Sequence, residues 1–320
     1  MCLISIITPS LNRAALIAEA IESVLRQDHP DFEHIVVDGG SADETLEILN
    51  RYPHLRVISE PDRGLYDAIN KGIRSATGKT IGLLNTDDLY EDNIFETIQQ
   101  IFRASPDVAA MVGGSTIFRE ARSGKRETLA IFSAIPERDL FDQVSSGLPP
   151  FNGWFFRRKI FDRIGYFDLR YRYSADRDFL IRMALFAEKY ISIDKILYHY
   201  RQHPGSLTFN NSGSAESEFF FENRVLAEHY LGKKDLPPEA REQILSWHSQ
   251  LTIDQVLFAI SQLNIRKAIA YARRGLGLNR GWPWIFIRNI PASGRRIWKR
   301  NINRIRGDIS AGSSPVHHEG

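Results

Sequence analysis

Two neighbouring carboxylates, Asp87 and Asp88, close the apolar run Ile81-Gly82-Leu83-Leu84-Asn85-Thr86. A buried strand ending there would deliver both acids to the rim of a sheet, where ligands of open α/β folds bind. Adjacent strand-mounted carboxylates suit a hard divalent cation, and a cation at that place would in turn hold phosphates. The same pair also fits a turn or a helix cap, so its surroundings must decide. Asp38 stands in a comparable position, after Ile35-Val36-Val37 and before Gly39-Gly40. A carboxylate there can accept hydrogen bonds from a ribose or a base N–H, and it can equally be a turn residue.

The elements that must position these acids alternate between short apolar runs and amphipathic stretches. Residues 3–8, 34–37, 55–59 and 80–84 read as strands, and 13–26, 43–51 and 65–77 as the helices between them. The pattern predicts a mostly parallel sheet flanked by helices, with Thr8, Asp38, Glu60 and the Asp87/Asp88 pair along one rim. No GxGxxG follows the first strand and no GxxxxGK[ST] occurs anywhere. A dinucleotide-dependent dehydrogenase and a P-loop nucleotidase are therefore both disfavoured.

The chain of 320 residues, 43% hydrophobic and 25% charged, has the composition of an ordinary globular protein. Its one cysteine, Cys2, allows neither an internal disulfide nor a cysteine-based zinc site. The first residues lack the basic and long apolar regions of a signal peptide, and no run is long enough to span a membrane. The expectation is a cytoplasmic protein. The net charge of +2 conceals an asymmetry, because no acidic residue lies between Asp254 and Asp308 while Arg and Lys recur throughout that stretch. An acidic body and a basic C-terminal region should meet different partners.

Four separate motifs then carry a resemblance. They are Ser5-Ile6-Ile7-Thr8-Pro9-Ser10-Leu11-Asn12, Ile35-Val36-Val37-Asp38-Gly39-Gly40-Ser41-Ala42-Asp43-Glu44-Thr45, Glu60-Pro61-Asp62-Arg63-Gly64-Leu65-Tyr66-Asp67-Ala68-Ile69-Asn70-Lys71-Gly72, and Asn85-Thr86-Asp87-Asp88. In this order and spacing they resemble the family 2 glycosyltransferases, in particular the bacterial exopolysaccharide, O-antigen and colanic-acid type. The resemblance covers roughly residues 1–210 and implies an α/β GT-A fold, Rossmann-like, with a mostly parallel central sheet. It also implies an enzyme that uses a nucleotide-sugar and a divalent metal, Mn2+ or Mg2+. Thr8, Pro9, Asn12, Asp38, Arg63, Asp67, Asn70 and Asp87 would surround the donor, and Asp88 would be the metal ligand of a DxD-like motif. The family often has aspartate where Asn85 and Gly39 stand here, which touches base and ribose recognition. Arg63 could reach the diphosphate or simply pair with Asp62 or Asp67.

Further along, Leu148-Pro149-Pro150-Phe151-Asn152-Gly153-Trp154-Phe155-Phe156 is rich in aromatic residues. Phe155 and Phe156 read as sheet core and Trp154 as the residue near the acceptor. Ser174-Ala175-Asp176-Arg177-Asp178 opens a helix expected over 178–187, with Ser174 or Asp176 as its cap. The resemblance makes Asp176 the base that deprotonates the acceptor hydroxyl, with Ala175 where glutamate is frequent. Arg201 and His203 would approach the diphosphate or the metal. Residues 210–214 read as a linker or mobile loop.

Beyond residue 216 helices dominate, and the chain is expected to divide into a catalytic domain 1–210, a basic helical region 211–310 and a disordered tail 311–320. Trp282, Trp284 and Trp298 among Arg295, Arg296, Lys299 and Arg300 suit an anionic bilayer surface. Nucleic acid is the rival polyanion, but the reading adopted is no nucleic acid and a peripheral location on the inner face of the cytoplasmic membrane. Three functions compete. The first is an inverting, metal-assisted transferase acting on a glycan or lipid-linked acceptor. The others are a nucleotidyltransferase-like enzyme and a non-catalytic sugar-nucleotide-binding scaffold of a membrane complex.

Overall fold

The computed structural model describes residues 4–121, 123–133, 140–141, 151–203, 213–279 and 281. The expectations for residues 148–150, the loop at 210–212, the basic aromatic stretch at 282–306 and the 311–320 tail lie outside them. The chain splits into two compact units, Met1–Glu222 and Asn223–Gly320.

In the first unit, four parallel strands form the half of the sheet nearest the N-terminus: β1 (Ile4–Ser10), β2 (Phe32–Asp38), β3 (Leu55–Ser59) and β4 (Thr80–Leu83), in spatial order β3-β2-β1-β4. The β-branched runs of β1 and β4 are buried along their whole length, as both faces of a parallel sheet must be. The crossovers hold α1 (Ile17–Leu25), α2 (Thr45–Leu49) and α3 (Leu65–Ser75). Helix α3 lies so close to the sheet that a Cβ at Gly72 would sit 2.4 Å from Cγ2 of Ile7, so the position admits only glycine without repacking.

The chain then reverses direction. It forms β5 (Leu89–Tyr90), α4 (Phe95–Ala104), β6 (Ala110–Glu120), β7 (Arg126–Phe132) and β8 (Trp154–Arg157). Next come α5 (Lys159–Ile164), α6 (Ala175–Leu185) and β9 (Tyr190–Arg201). Strand β8 enters antiparallel between β4 and β6, β9 runs parallel to β6, and the short β5 pairs antiparallel with the end of β9. Among the described residues the sheet order is β3-β2-β1-β4-β8-β6-β9-β5, with β7 hairpinned onto β6.

This arrangement decides where the chemistry can sit. The C-terminal ends of β1, β2, β3 and β4 share one rim, and the pairing of β5 with β9 brings residues 198–201 against residues 88–90. Strand β9 continues to Arg201, and β6 pairs with it as far as Phe118↔Arg201. Helix α6 starts at Ala175, before the expected Asp178, so Asp176 lies in its first turn. Ser174 is the N-cap residue but makes no capping bond through its side chain, and Asp176, inside the first turn, accepts the N–H of Arg177 at 2.7 Å.

Helix α7 (Gly213–Leu231) takes in the last two residues of the expected loop and runs past the unit boundary at Glu222. The second unit contains α8 (Pro238–Ser261) and α9 (Ile265–Leu278), which pack through Val256, Ala259 and Ala268. Beside that packed stripe α9 leaves Ile265, Ile269 and Leu276 exposed. No helix among the described residues is long and apolar enough to cross a membrane.

Candidate active site

The loop from β4 to β5 carries both acids of the pair, and the structure gives them opposite environments. Asp88 has no exposed surface. Its Oδ1 accepts the backbone N–H of Arg201 at 2.8 Å, and its Oδ2 accepts the side-chain amide of Asn85 at 3.1 Å and the hydroxyl of Tyr198. Asn152 donates to the same Tyr198 hydroxyl at 2.8 Å, which leaves the tyrosine proton for Asp88. Burial, followed by the charge of Asp87 beside it, pushes the Asp88 carboxyl up to about 8, against the pull of these donors. Asp88, expected as the metal ligand, is thus buried with three of the protein's own donors on its two oxygens.

Asp87 is the accessible member. Its Oδ2 lies 2.9 Å from Nε2 of His203, and both side chains remain partly exposed. The two residues come from the ends of β4 and β9, more than a hundred positions apart. A carboxylate and an imidazole so placed fit two ligands of a divalent cation, and the nitrogen donor suits Mn2+ better than Mg2+. The described residues hold no group of three or more His, Cys, Asp or Glu that could bind a metal. A cation held by this pair would have to draw its remaining ligands from phosphate oxygens and water.

Arg201, expected at the diphosphate, is turned inward instead. Its guanidinium is 3% exposed, pairs with Glu120 and with Glu19 at 2.8 Å, and donates from Nε to the carbonyl of Asp87 at 2.9 Å. The ring of Phe118 lies 5.0 Å beneath it. Burial would raise Glu19, yet Arg201 and Arg126 hold its carboxyl below the usual range. With both ends of the fork occupied by carboxylates, Arg201 fixes the Asp87 backbone and does not face solvent.

The other donor-side candidates divide in the same way. Asp38 is buried and accepts from the backbone N–H groups of Gly40 and Ser41 and from the hydroxyls of Ser41 and Ser59, at 2.5 to 3.0 Å. These bonds organise the turn after β2. Thr8 is also buried and bonded to Nε2 of His34 at 2.9 Å, and burial holds that imidazole neutral by lowering its pKa to about 3. Pro9 lies in the buried body of β1. Asn70 clasps both the N–H and the carbonyl of Phe167, at 3.0 and 2.8 Å, so it ties α3 to the loop before α6. Asn12 accepts the N–H of Ala42 at 2.8 Å, joining the loops after β1 and β2. Asp67 accepts the N–H of Arg63 at 3.0 Å and pairs with its guanidinium at 3.6 Å. Arg63 itself stays largely exposed at the rim. Trp154 is wholly buried, stacked on Phe156 and against Tyr190, so it belongs to the core beside the two phenylalanines and does not meet an acceptor.

Asp176 reaches the same rim from another direction. It is partly exposed in the first turn of α6 and hydrogen-bonded by the hydroxyl of Tyr66, which opens α3 just past the end of β3. Desolvation raises the Asp176 carboxyl above its ordinary value, partly offset by Arg177 and Tyr66. Tyr66, Tyr198 and Glu222 are site residues that motif reading missed. Only Tyr66 had a local signal, as a buried aromatic in the turn Gly64-Leu65-Tyr66.

Comparison with known proteins now bears on this geometry. The sequence profile of glycosyl transferase family 2 matches residues 5–165. A PGL/p-HBAD biosynthesis glycosyltransferase of Mycobacterium bovis is 37% identical over 184 residues, covering 56% of this chain and 68% of that one. The uncharacterized glycosyltransferase EpsJ of Bacillus subtilis is 30% identical over 220 residues, covering 64% of this chain and 63% of its own length. Among solved structures, S. aureus TarS 1-349 in complex with UDP-GlcNAc superposes with a TM-score of 0.57 at 18% identity, covering 85% of this chain and 92% of that one. The mannosyltransferase PcManGT from Pyrobaculum calidifontis, in complex with GDP-Man and Mn2+, gives 0.56 at 18% identity, with coverage of 93% and 88%. The chain belongs to glycosyl transferase family 2 and is a glycosyltransferase of GT-A fold.

The two acids should separate cleanly on mutation. Asp88→Ala leaves Tyr198, Asn85 and the Arg201 N–H without an acceptor and should lower stability by roughly 3–5 kcal/mol, read as a shift in the urea midpoint. Asp87→Ala should stay within about 1 kcal/mol of the parent. Equal losses in the two variants would contradict the division.

Proposed function

We propose that the protein is an inverting glycosyltransferase that moves a sugar from a nucleotide-sugar donor to a glycan or lipid-linked acceptor, with Asp176 as the general base. The observation that supports this best is that two accessible carboxylates, Asp87 beside His203 and Asp176 beside Tyr66, stand at one rim of the sheet. A single in-line displacement needs such a division. One group removes the acceptor proton as its oxygen attacks the anomeric carbon, while charge neutralisation on the far side releases the nucleoside diphosphate. The raised affinity of Asp176 for a proton suits the first task. Asp87 and His203 are proposed to hold a divalent cation, which when bound would neutralise the diphosphate. The exposed guanidinium of Arg63 stands past the end of β3 on the same rim and is proposed to meet the donor. The named ligands of the two solved structures make UDP- and GDP-sugars the first donors to test.

The biosynthetic setting is proposed to be cell-surface polysaccharide or glycolipid assembly on an anionic membrane face. The exposed Ile265, Ile269 and Leu276 of α9, next to Arg266 and Arg273, extend the basic and aromatic character of the following sequence. The domain division proposed on sequence grounds places the catalytic unit within residues 1–210.

A screen of UDP-, GDP- and dTDP-sugars, followed by release of the nucleoside diphosphate, tests the activity. Asp176→Asn should lower kcat by about 10²–10⁴-fold with the fold retained, and chelation of divalent cations should abolish turnover. Donor binding without turnover on any acceptor would instead favour a scaffold. The pH profile gives an independent check. The Tyr66 hydroxyl stabilises the ionised form of Asp176, so Tyr66→Phe should raise the pKa of the base. The acid limb of the kcat profile should therefore move to higher pH, and a shift to lower pH would contradict the assignment. Truncation at Gly281 should reduce sedimentation with anionic vesicles, and unchanged partitioning would count against membrane docking.

A further inference from the structure

The start of α6 carries the proposed base, and its N-cap residue Ser174 makes no capping bond through its side chain. The chain that leads into it is held from a different helix. Glu222, in α7, accepts three consecutive backbone N–H groups: Tyr173 and Ser174 at 2.6 Å each through Oε1, and Arg172 at 2.8 Å through Oε2. One turn earlier in α7, Glu218 accepts the hydroxyl of Tyr173 at 3.0 Å. A carboxylate holding three amides is a charge-assisted arrangement, and it fixes the path of the chain into the helix more firmly than a serine cap would.

The consequence reaches Asp176, which is only two residues beyond Ser174. On the far side Tyr66 holds the Asp176 side chain, and Asn70 of the same helix α3 clasps Phe167 at the start of the loop that leads to α6. The loop is thus fixed at its beginning by α3 and at its end by α7. We propose that Glu222 is a positioning residue for Asp176: by gathering the N–H groups of Arg172, Tyr173 and Ser174 it sets where the first turn of α6 presents the base. The inference rests on the reading of Asp176 as general base. It makes the first part of the α7 helix a support of catalysis, although that helix lies outside the family motifs.

The test uses the full chain and whichever nucleotide-sugar turns over best in the screen above. Glu222→Gln keeps the side chain's size but offers one acceptor oxygen in place of two, and Glu222→Ala removes both. In each folded variant kcat should fall on the order of 10–100-fold while the donor KM stays within about twofold, because a base displaced by an ångström loses rate and not donor affinity. Glu222→Asp should recover part of the loss. The double variant Glu222→Gln/Asp176→Asn should be no slower than Asp176→Asn alone, since the effect passes through Asp176. Should Glu222→Ala not fold, Glu222→Gln carries the test, with folding checked by circular dichroism.

Parent-like kcat in a folded Glu222→Gln, or losses that multiply in the double variant, would overturn the proposal. Those outcomes with an inactive Asp176→Asn reject the role of Glu222 alone. A fully active Asp176→Asn rejects the general-base reading first.

Discussion

The site depends on one buried carboxylate. Asp88 joins the end of β4 to the end of β9 through the Arg201 N–H and the Tyr198 hydroxyl, and Asn85 closes the same group from within its own loop. A buried polar group is tolerated only where protein partners replace water, and each partner here has a fixed origin. The alignment of β5 with β9, the inward turn of Arg201 and the separation of Asp87 from Asp88 all follow from satisfying that group. Arg201 extends the constraint outward. It spans Glu19 on α1 and Glu120 on β6, so strands distant in sequence share one ionic knot beneath the rim.

A division of labour results. Side chains that the motifs single out most strongly, including Asp38, Asn70, Asp88 and Arg201, are spent on holding loops and strand ends in place. Asp87, His203, Arg63 and Asp176 keep accessible surface at the rim. The supports are buried and multiply bonded, whereas the proposed working groups keep accessible surface while tethered to a neighbour: His203 to Asp87, Arg63 to Asp67, Asp176 to Tyr66. This is the arrangement that preorganised chemistry requires, with precise placement by rigid neighbours and unspent capacity in the groups that act.

Much of this was legible in the sequence, because it depends on local pattern. The apolar runs of β1, β2 and β4, the helices between them, and the acids at their ends follow from strand length and alternation alone. The four ordered motifs located the family. Trp154 shows the limit. An aromatic residue in a polar-looking loop resembles a sugar platform, but β8 inserts between β4 and β6 and draws its ring wholly into the core. No local signal announced an antiparallel strand entering at that point.

By itself the sequence determined the α/β class, the rim that bears the acids, the glycosyltransferase family and the basic character of the C-terminal region. Each of these follows from residue type and spacing along the chain. Only the tertiary structure decided which of two adjacent aspartates is buried, where Arg201 points, and which residues fasten Asp176. Those outcomes turn on partners 48 to 182 positions away, such as Glu222 for Ser174, His203 for Asp87 and Glu19 for Arg201. Burial and hydrogen bonding between distant segments are properties of the assembled sheet, and a motif read along the chain cannot express them.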